Sequence, residues 1–415
     1  MAAEYHHNHY VPVWYQNRFI PPAQPDRSLF YLDLKPGVFT DPKGKITHRY
    51  SGLHKVGPKK CFAEKDLYTT YLGADEITEI EQAFFGPIDR NGKIGVEYFS
   101  DYEYQTVDYA AYDFMINYLS IQKLRTPKGL GWLSNEAGTT DRDALLHLMI
   151  GVRQVFNAIW TECVWLIADA TESDTKFIIS DHPVTVYNRR CGPRSQWCRG
   201  NGDPDIRFQG THTIFPLSLE KILILTNSSW VRNPYQSEIG LRPNPNPWRG
   251  ALFSYVDIQT LRHLSESEVR EINFIIKSRA NRYLAAANEE WLFPEEYVAK
   301  SRWNEFGGGY LLMPDPRPIH QAGEYILGYK DGTTAAFDEY GRRPGEPDYK
   351  KEADIEFGAR SLDRFKAEFA RLIGPYRRGR SYSHATLDNE QDDEKRHQYH
   401  LDLDHRRKGR NGRNQ

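Results

Sequence analysis

Four residues of this chain could do chemistry together: His9, Arg125 and Asp181, with Glu81 as a further carboxylate. A histidine titrates near neutral pH, so it can hold a metal or take a proton. A carboxylate just past a strand is held rigidly by the scaffold and can ligate a metal or orient a base. An arginine grips a phosphate or carboxylate through two parallel hydrogen bonds. In one cleft the set would suit metal-assisted hydrolysis of a phosphoester. The metal would activate water and Arg125 would neutralise the developing charge. His9, Asp181 and Glu81 would then be the ligands of a divalent cation, with its identity left open.

Each of these residues has a structural alternative. Asp181 stands before His182-Pro183, where its side chain can cap the turn. His9 could lay its ring on Trp14 or Tyr15 and donate to a backbone carbonyl. His182 carries the same two readings. Arg125 could form a salt bridge to a buried acid such as Asp181. Glu79 and Glu81 flank Ile80 on an expected helix, so at most one faces a given site, and a solvated face accounts for both. Asn273 could hydrogen-bond a buried loop from within a helix.

Other chemistries lack their motifs. The chain has no Walker-type phosphate loop, no Gly-x-Gly-x-x-Gly after a strand, no His-Glu-x-x-His and no Gly-x-Ser-x-Gly,. The four cysteines, Cys61, Cys163, Cys191 and Cys198, form no Cys-x-x-Cys pair. They read as free thiols of a reducing compartment, although Cys191 and Cys198 flank a Gly/Pro/Arg-rich loop that could bring them close. A formal net charge of -2 gives no global pull toward nucleic acid or an anionic membrane,. A basic run in the tail, Arg406-Arg407-Lys408, is the one weak pointer to nucleic acid, and a solvated tail explains it as well. The first residues lack a signal-like apolar stretch, and the run Cys163 to Ala168 is far below the ~20 residues of a membrane helix, so a cytoplasmic protein without membrane partners is expected.

The elements that must position these residues can be read from periodicity. Leu29 to Leu34 reads as a strand, and Ile46 to Val56 as its hairpin partner. Asp75 to Phe85 and Val107 to Leu124 show helical spacing. Asp141 to Ala170 is the strongest helical pattern, and its second half is apolar nearly all round, as expected of a helix at the centre of a core. Lys176 to Ser180, Thr213 to Phe215 and Lys221 to Thr226 read as strands. Ser265-Glu266-Ser267-Glu268 is a capping box that opens a helix running to about Asn288. Ser361 to Ile373 reads as another helix. From Arg377 onward mixed charge without an apolar face predicts disorder.

The short motifs as a set resemble the domain of unknown function 4238 family. The residues that carry the likeness are His9-Tyr10-Val11-Pro12, Arg125-Thr126-Pro127, Ser180-Asp181-His182-Pro183, Pro216-Leu217-Ser218 and Asn273. His182 stands where the family more often has Asn, and the loop after Asn188 is unusually long. The resemblance identifies a family without a reaction, with Pro12, His182, Pro183 and Asn273 as further motif positions. The expected fold is α+β and mainly helical, with β-hairpins packed on a long central helix. The expected organisation is a core domain at 1–300, an extension at 301–376 and a disordered charged tail at 377–415. Two functions remain open: a metal-dependent hydrolase of phosphoester or nucleic-acid substrates, and a non-catalytic binding protein whose motif residues are structural.

Overall fold

The computed structural model describes residues 7–40, 42–44, 46–49, 51–65, 67–68, 70–72, 75–77, 84–102, 108–161, 163–198, 202–206, 208, 211–226, 258–307, 324–328, 332–338, 342–356, 359–360 and 380–381. The expected helix at Ser361 to Ile373, Glu81 and nearly all of the charged tail lie outside these residues. Among the described residues the longer helices are α1 (Gly86–Ser100), α2 (Tyr109–Leu124), α3 (Pro127–Ala137), α4 (Arg142–Thr161) and α5 (Glu266–Arg279). Two sheets dominate. In chain order their strands are β1 (Leu29–Asp33), β2 (Leu53–Val56), β3 (Val164–Asp169), β4 (Ile179–Ser180), β5 (Thr185–Tyr187), β6 (His212–Pro216), β7 (Lys221–Thr226), β8 (Gln259–His263), β9 (Tyr283–Ala286) and β10 (Arg380–Ser381).

The expectation of a mainly helical fold around one long helix fails at residues 141–170. That run divides into α4 and β3, and β3 lies inside a six-stranded sheet of order β5-β6-β7-β3-β8-β10. The β3–β8 pair is parallel and the other neighbours are antiparallel. The reason is visible in Val164, Trp165 and Ile167: β-branched and aromatic residues suit a pleated surface. A short run that is apolar on every side fits a strand covered on both faces as well as it fits a buried helix. Trp165, Leu166, Ile167 and Ala168 are all buried. The molecule is α+β, but its centre is this sheet.

A second, four-stranded sheet has the order β4-β9-β1-β2. The expected early hairpin is therefore rearranged. Leu53–Val56 does pair with Leu29–Asp33, while Ile46–Arg49 pairs instead with Val38–Thr40. The helix expected from Asp75 is displaced. Asp75–Ile77 is a strand paired with Thr70–Leu72, and the helix begins at Gly86, where Pro87 is tolerated because the first helical N–H groups lack intrahelical partners,. The capping box at Ser265 and Glu268 forms as expected. Its helix, however, ends at Arg279 rather than near Asn288. Ala280 is extended, and β9 follows at once.

Helices α1 and α2 lie against one another and over the large sheet. At Gly95 their backbones approach so closely that a Cβ would sit 2.8 Å from the Met115 nitrogen. Phe99 of α1 and Tyr112 of α2 both meet Trp165 of β3, with ring centroids 5.2 and 5.0 Å away. Trp303 and Phe306 join the same core. There the Tyr187 hydroxyl donates to the Trp303 carbonyl at 2.6 Å. Among the described residues no helix is long and apolar enough to cross a membrane.

Candidate functional site

The motif residues turn out to fasten chain segments to one another. Pro12 precedes a one-turn helix, Val13–Gln16, and the Tyr15 hydroxyl from that turn donates to the Pro216 carbonyl at 2.6 Å. Arg18 Nε donates to the Leu217 carbonyl at 2.7 Å, so the opening motif and the Pro-Leu-Ser turn hold each other. His9 ends a short strand paired with Ala63–Lys65, and its Nε2 lies 3.0 Å from the Lys59 carbonyl. Asn273 of α5 accepts from the Ile178 nitrogen and donates to the Lys176 carbonyl, tying the helix to the segment before β4. Pro183 is buried between His182 and β5.

Asp181 is almost wholly inaccessible. Its carboxylate accepts three backbone N–H groups, from Asn281 at 2.9 Å, Arg282 at 2.7 Å and Tyr283 at 3.0 Å. Burial pushes its pKa up, and these three donors pull against that,. Those N–H groups belong to the segment that leaves α5, which explains why the helix stops where it does. Arg125 is equally buried. Its guanidinium meets Asp89 at 2.8 Å and Gln122 Oε1 at 2.9 and 2.5 Å, between the rings of Phe85 and Tyr118. Its acid is thus Asp89, not Asp181.

His9, Arg125 and Asp181 therefore each engage their own local partners. The fourth proposed residue, Glu81, lies outside the described residues. Among the described residues no group of three or more His, Cys, Asp or Glu side chains is placed to hold a metal ion.

Polar groups converge elsewhere, at the corner between α2 and α3. Thr126 caps α3 by accepting from the Gly129 nitrogen at 3.1 Å, with Pro127 at the first helical position,. The Thr126 hydroxyl also contacts His182 Nδ1 at 2.6 Å. On the other side of the ring, His182 Nε2 lies 2.8 Å from Lys123 Nζ. That ammonium also donates to the Val184 carbonyl at 3.1 Å and to Asp203 at 2.6 Å, so three acceptors meet its three protons. Lys128 reaches the other oxygen of Asp203 at 2.6 Å and the Arg279 carbonyl at 2.6 Å.

The electrostatics follow from this arrangement. Burial, and then the neighbouring Lys123 charge, pull His182 down to about 3, so its ring stays neutral. With Lys123 charged and donating to Nε2, the proton of the neutral ring sits on Nδ1 and points at Thr126. Burial pulls Lys123 itself down to about 8, although Asp203 opposes it. Burial alone would raise Asp203, but Lys123 and Lys128 hold it well below the usual carboxylate range.

Lys123, Lys128, His182 and Asp203 line a cavity of about 480 Å³. Trp132, Phe156, Trp197, Ile206 and Phe208 contribute apolar lining, and Glu136 and Asp205 add two more carboxylates. The aromatics form two edge-on pairs: Trp132 with Phe156 at 5.9 Å and Trp197 with Phe208 at 5.6 Å. Of this set the motif reading reached only His182. Lys123 had one legible signal, since it continues the stripe Tyr112, Ile116 and Leu119 on the core side of α2, where a lysine is out of place. Lys128 and Asp203 carried none, because a lysine in a first helical turn and an aspartate in a glycine-rich loop are ordinary.

Residues 135–290 match the family described as protein of unknown function (DUF4238). The matched range contains His182, Asp203 and Arg279, whereas Lys123 and Lys128 precede it. No curated protein and no solved structure matches the chain.

Proposed function

We propose that this member of the DUF4238 family binds a small organic molecule in the cavity at the α2–α3 corner, and that the ligand is flat and carries no net negative charge. Of the two functions open to the sequence, the binding reading is the better supported. The observation that carries it is the convergence of Lys123, Lys128, His182 and Asp203 on a cavity whose remaining lining includes the aromatic rings of Trp132, Phe156, Trp197 and Phe208. A largely apolar cavity of drug-like size with a few convergent polar groups is the usual form of a small-molecule site.

The aromatic lining favours a planar ligand, which gains contact area and stacking at little entropic cost. The two lysines are matched by three carboxylates in the lining, Asp203, Asp205 and Glu136. A polyanion would gain no net attraction there, which disfavours phosphoester and nucleic-acid ligands. The ammonium–carboxylate cluster is internally paired, so its hydrogen-bonding directions are set before any ligand arrives.

The test is a panel of flat heterocycles in matched pairs, each neutral compound beside its carboxylated or phosphorylated form, followed by tryptophan fluorescence and calorimetry. Saturable one-to-one binding of neutral members is expected, weakened ~10-fold or more, about 1.4 kcal/mol, by Trp132→Ala. The proposal fails if no member binds, if the anionic partners bind more tightly, or if Trp132→Ala leaves the affinity of every hit unchanged.

A further inference from the structure

A second reactive cluster lies behind one wall of the cavity. After β5 the chain makes a turn in which the Ser195 nitrogen donates to the Gly192 carbonyl and the Cys198 nitrogen to the Ser195 carbonyl, at 2.9 and 3.0 Å. This folds Cys198 back onto Cys191, and both are buried against Phe208. The Cys198 thiol donates to the Gly192 carbonyl at 3.4 Å and to the Cys191 carbonyl at 3.8 Å.

Arg279, the last residue of α5, lies against this turn with its guanidinium over the Trp303 ring at 4.9 Å. Its Nη1 donates to Cys198 Sγ at 3.3 Å and to the Gly202 carbonyl, and its Nη2 donates to the Cys191 carbonyl at 2.6 Å. A buried guanidinium within hydrogen-bond reach of the sulfur favours a thiolate at Cys198, against the two carbonyls that accept from its thiol, and the second cysteine is packed beside it,. The same loop supplies Gln196, Trp197, Asp203 and Phe208 to the cavity lining.

We infer that Cys198 is a modification site for small hydroperoxides, with Cys191 as the thiol that resolves it to a disulfide. Cys198 Sγ attacks one peroxide oxygen and the O–O bond breaks. With hydrogen peroxide the departing hydroxide takes a proton and leaves as water, so Cys198 becomes a sulfenic acid. Cys191 then gives up its proton, its sulfur displaces the sulfenic hydroxyl as a second water, and the S–S bond forms. The two sulfurs supply the two electrons that reduce the peroxide. The reaction needs little approach space, since Cys198 keeps 7% of its surface exposed and the oxidant is no larger than two oxygens.

The acid–base setting agrees with these roles. The adjoining Cys191 side chain, and then Arg279, lower Cys198 against the opposing effects of burial and of Asp203. Cys191 is pushed up, first by the adjoining Cys198 side chain and then by burial. Burial alone pushes Cys61 up to about 12, and Cys163 is raised in the same way. Those two thiols are the internal controls.

The experiment uses the full chain with graded hydrogen peroxide, then alkylation and peptide mass mapping. A Cys191–Cys198 disulfide should appear while Cys61 and Cys163 remain alkylatable. Without oxidant, alkylation at pH 7 should be at least ~10-fold faster at Cys198 than at Cys61 or Cys163. In Cys191→Ala, dimedone should trap the sulfenic acid on Cys198. The inference is overturned if the disulfide never forms before the protein unfolds, if Cys61 or Cys163 oxidises first, or if alkylation shows no preference for Cys198. The wild-type mapping decides the question even if the variant does not fold.

Discussion

Replacing Asp181 with asparagine separates the two readings that the sequence left for this residue. The carboxylate accepts N–H groups from Asn281 on one oxygen and from Arg282 and Tyr283 on the other. Asparagine keeps one oxygen. In its better orientation that oxygen still serves Arg282 and Tyr283, and its NH₂ then faces the Asn281 N–H. One charge-assisted bond is lost, at about 1.5–3 kcal/mol, and two donors are left opposed in a dry site, at about 1–3 kcal/mol. A neutral amide is cheaper to bury than a carboxylate, which offsets part of this. The net loss should be ~2–4 kcal/mol, and Asp181→Ala should lose more because no acceptor remains. Urea unfolding at pH 7 measures it. A change below ~0.5 kcal/mol, smaller than a typical single hydrogen bond, would refute the account of Asp181 as the carboxylate that ends α5 and starts β9. If stability held while a stabilising shift with Mg²⁺, Mn²⁺ or Zn²⁺ disappeared, the metal reading would return.

Other outcomes follow from the same network. Asp203→Asn leaves two buried ammonium groups without their shared carboxylate and should cost ~3–5 kcal/mol at pH 7 by urea unfolding,. Lys123 titrates near 8 in the folded chain and near 10.4 when unfolded,. Between those values the unfolded chain binds the extra proton, so stability should rise with pH from about 8 to about 10 relative to Lys123→Met. A flat or falling difference in urea midpoint between the two proteins would contradict that. Gly129→Ala should destabilise by more than ~2 kcal/mol, since a Cβ there would strike the carbonyl oxygens of Lys123 and Leu124, and a melting temperature unchanged from wild type would show that the corner is looser than described,.

Only part of the local structure was legible in the sequence. The capping box at Ser265, the strands at β6 and β7 and the period of α2 depend on neighbours a few residues apart, and they appear where the pattern puts them. The structural alternative for Asn273 was also legible, whereas Asp181 does not cap the turn before Pro183 but accepts from Asn281, Arg282 and Tyr283, about a hundred residues away. Tertiary structure decided what pattern could not. Whether Val164–Asp169 is helix or strand depends on β7 and β8 lying on either side of it, and an all-round apolar run is compatible with both. The meeting of Lys123 and Lys128 with Asp203 joins segments 80 and 75 residues apart, and that distance leaves no periodic trace. Periodicity records which side of an element is buried. It does not record which distant chain buries it, and the ionic cluster in the cavity exists only through that second choice.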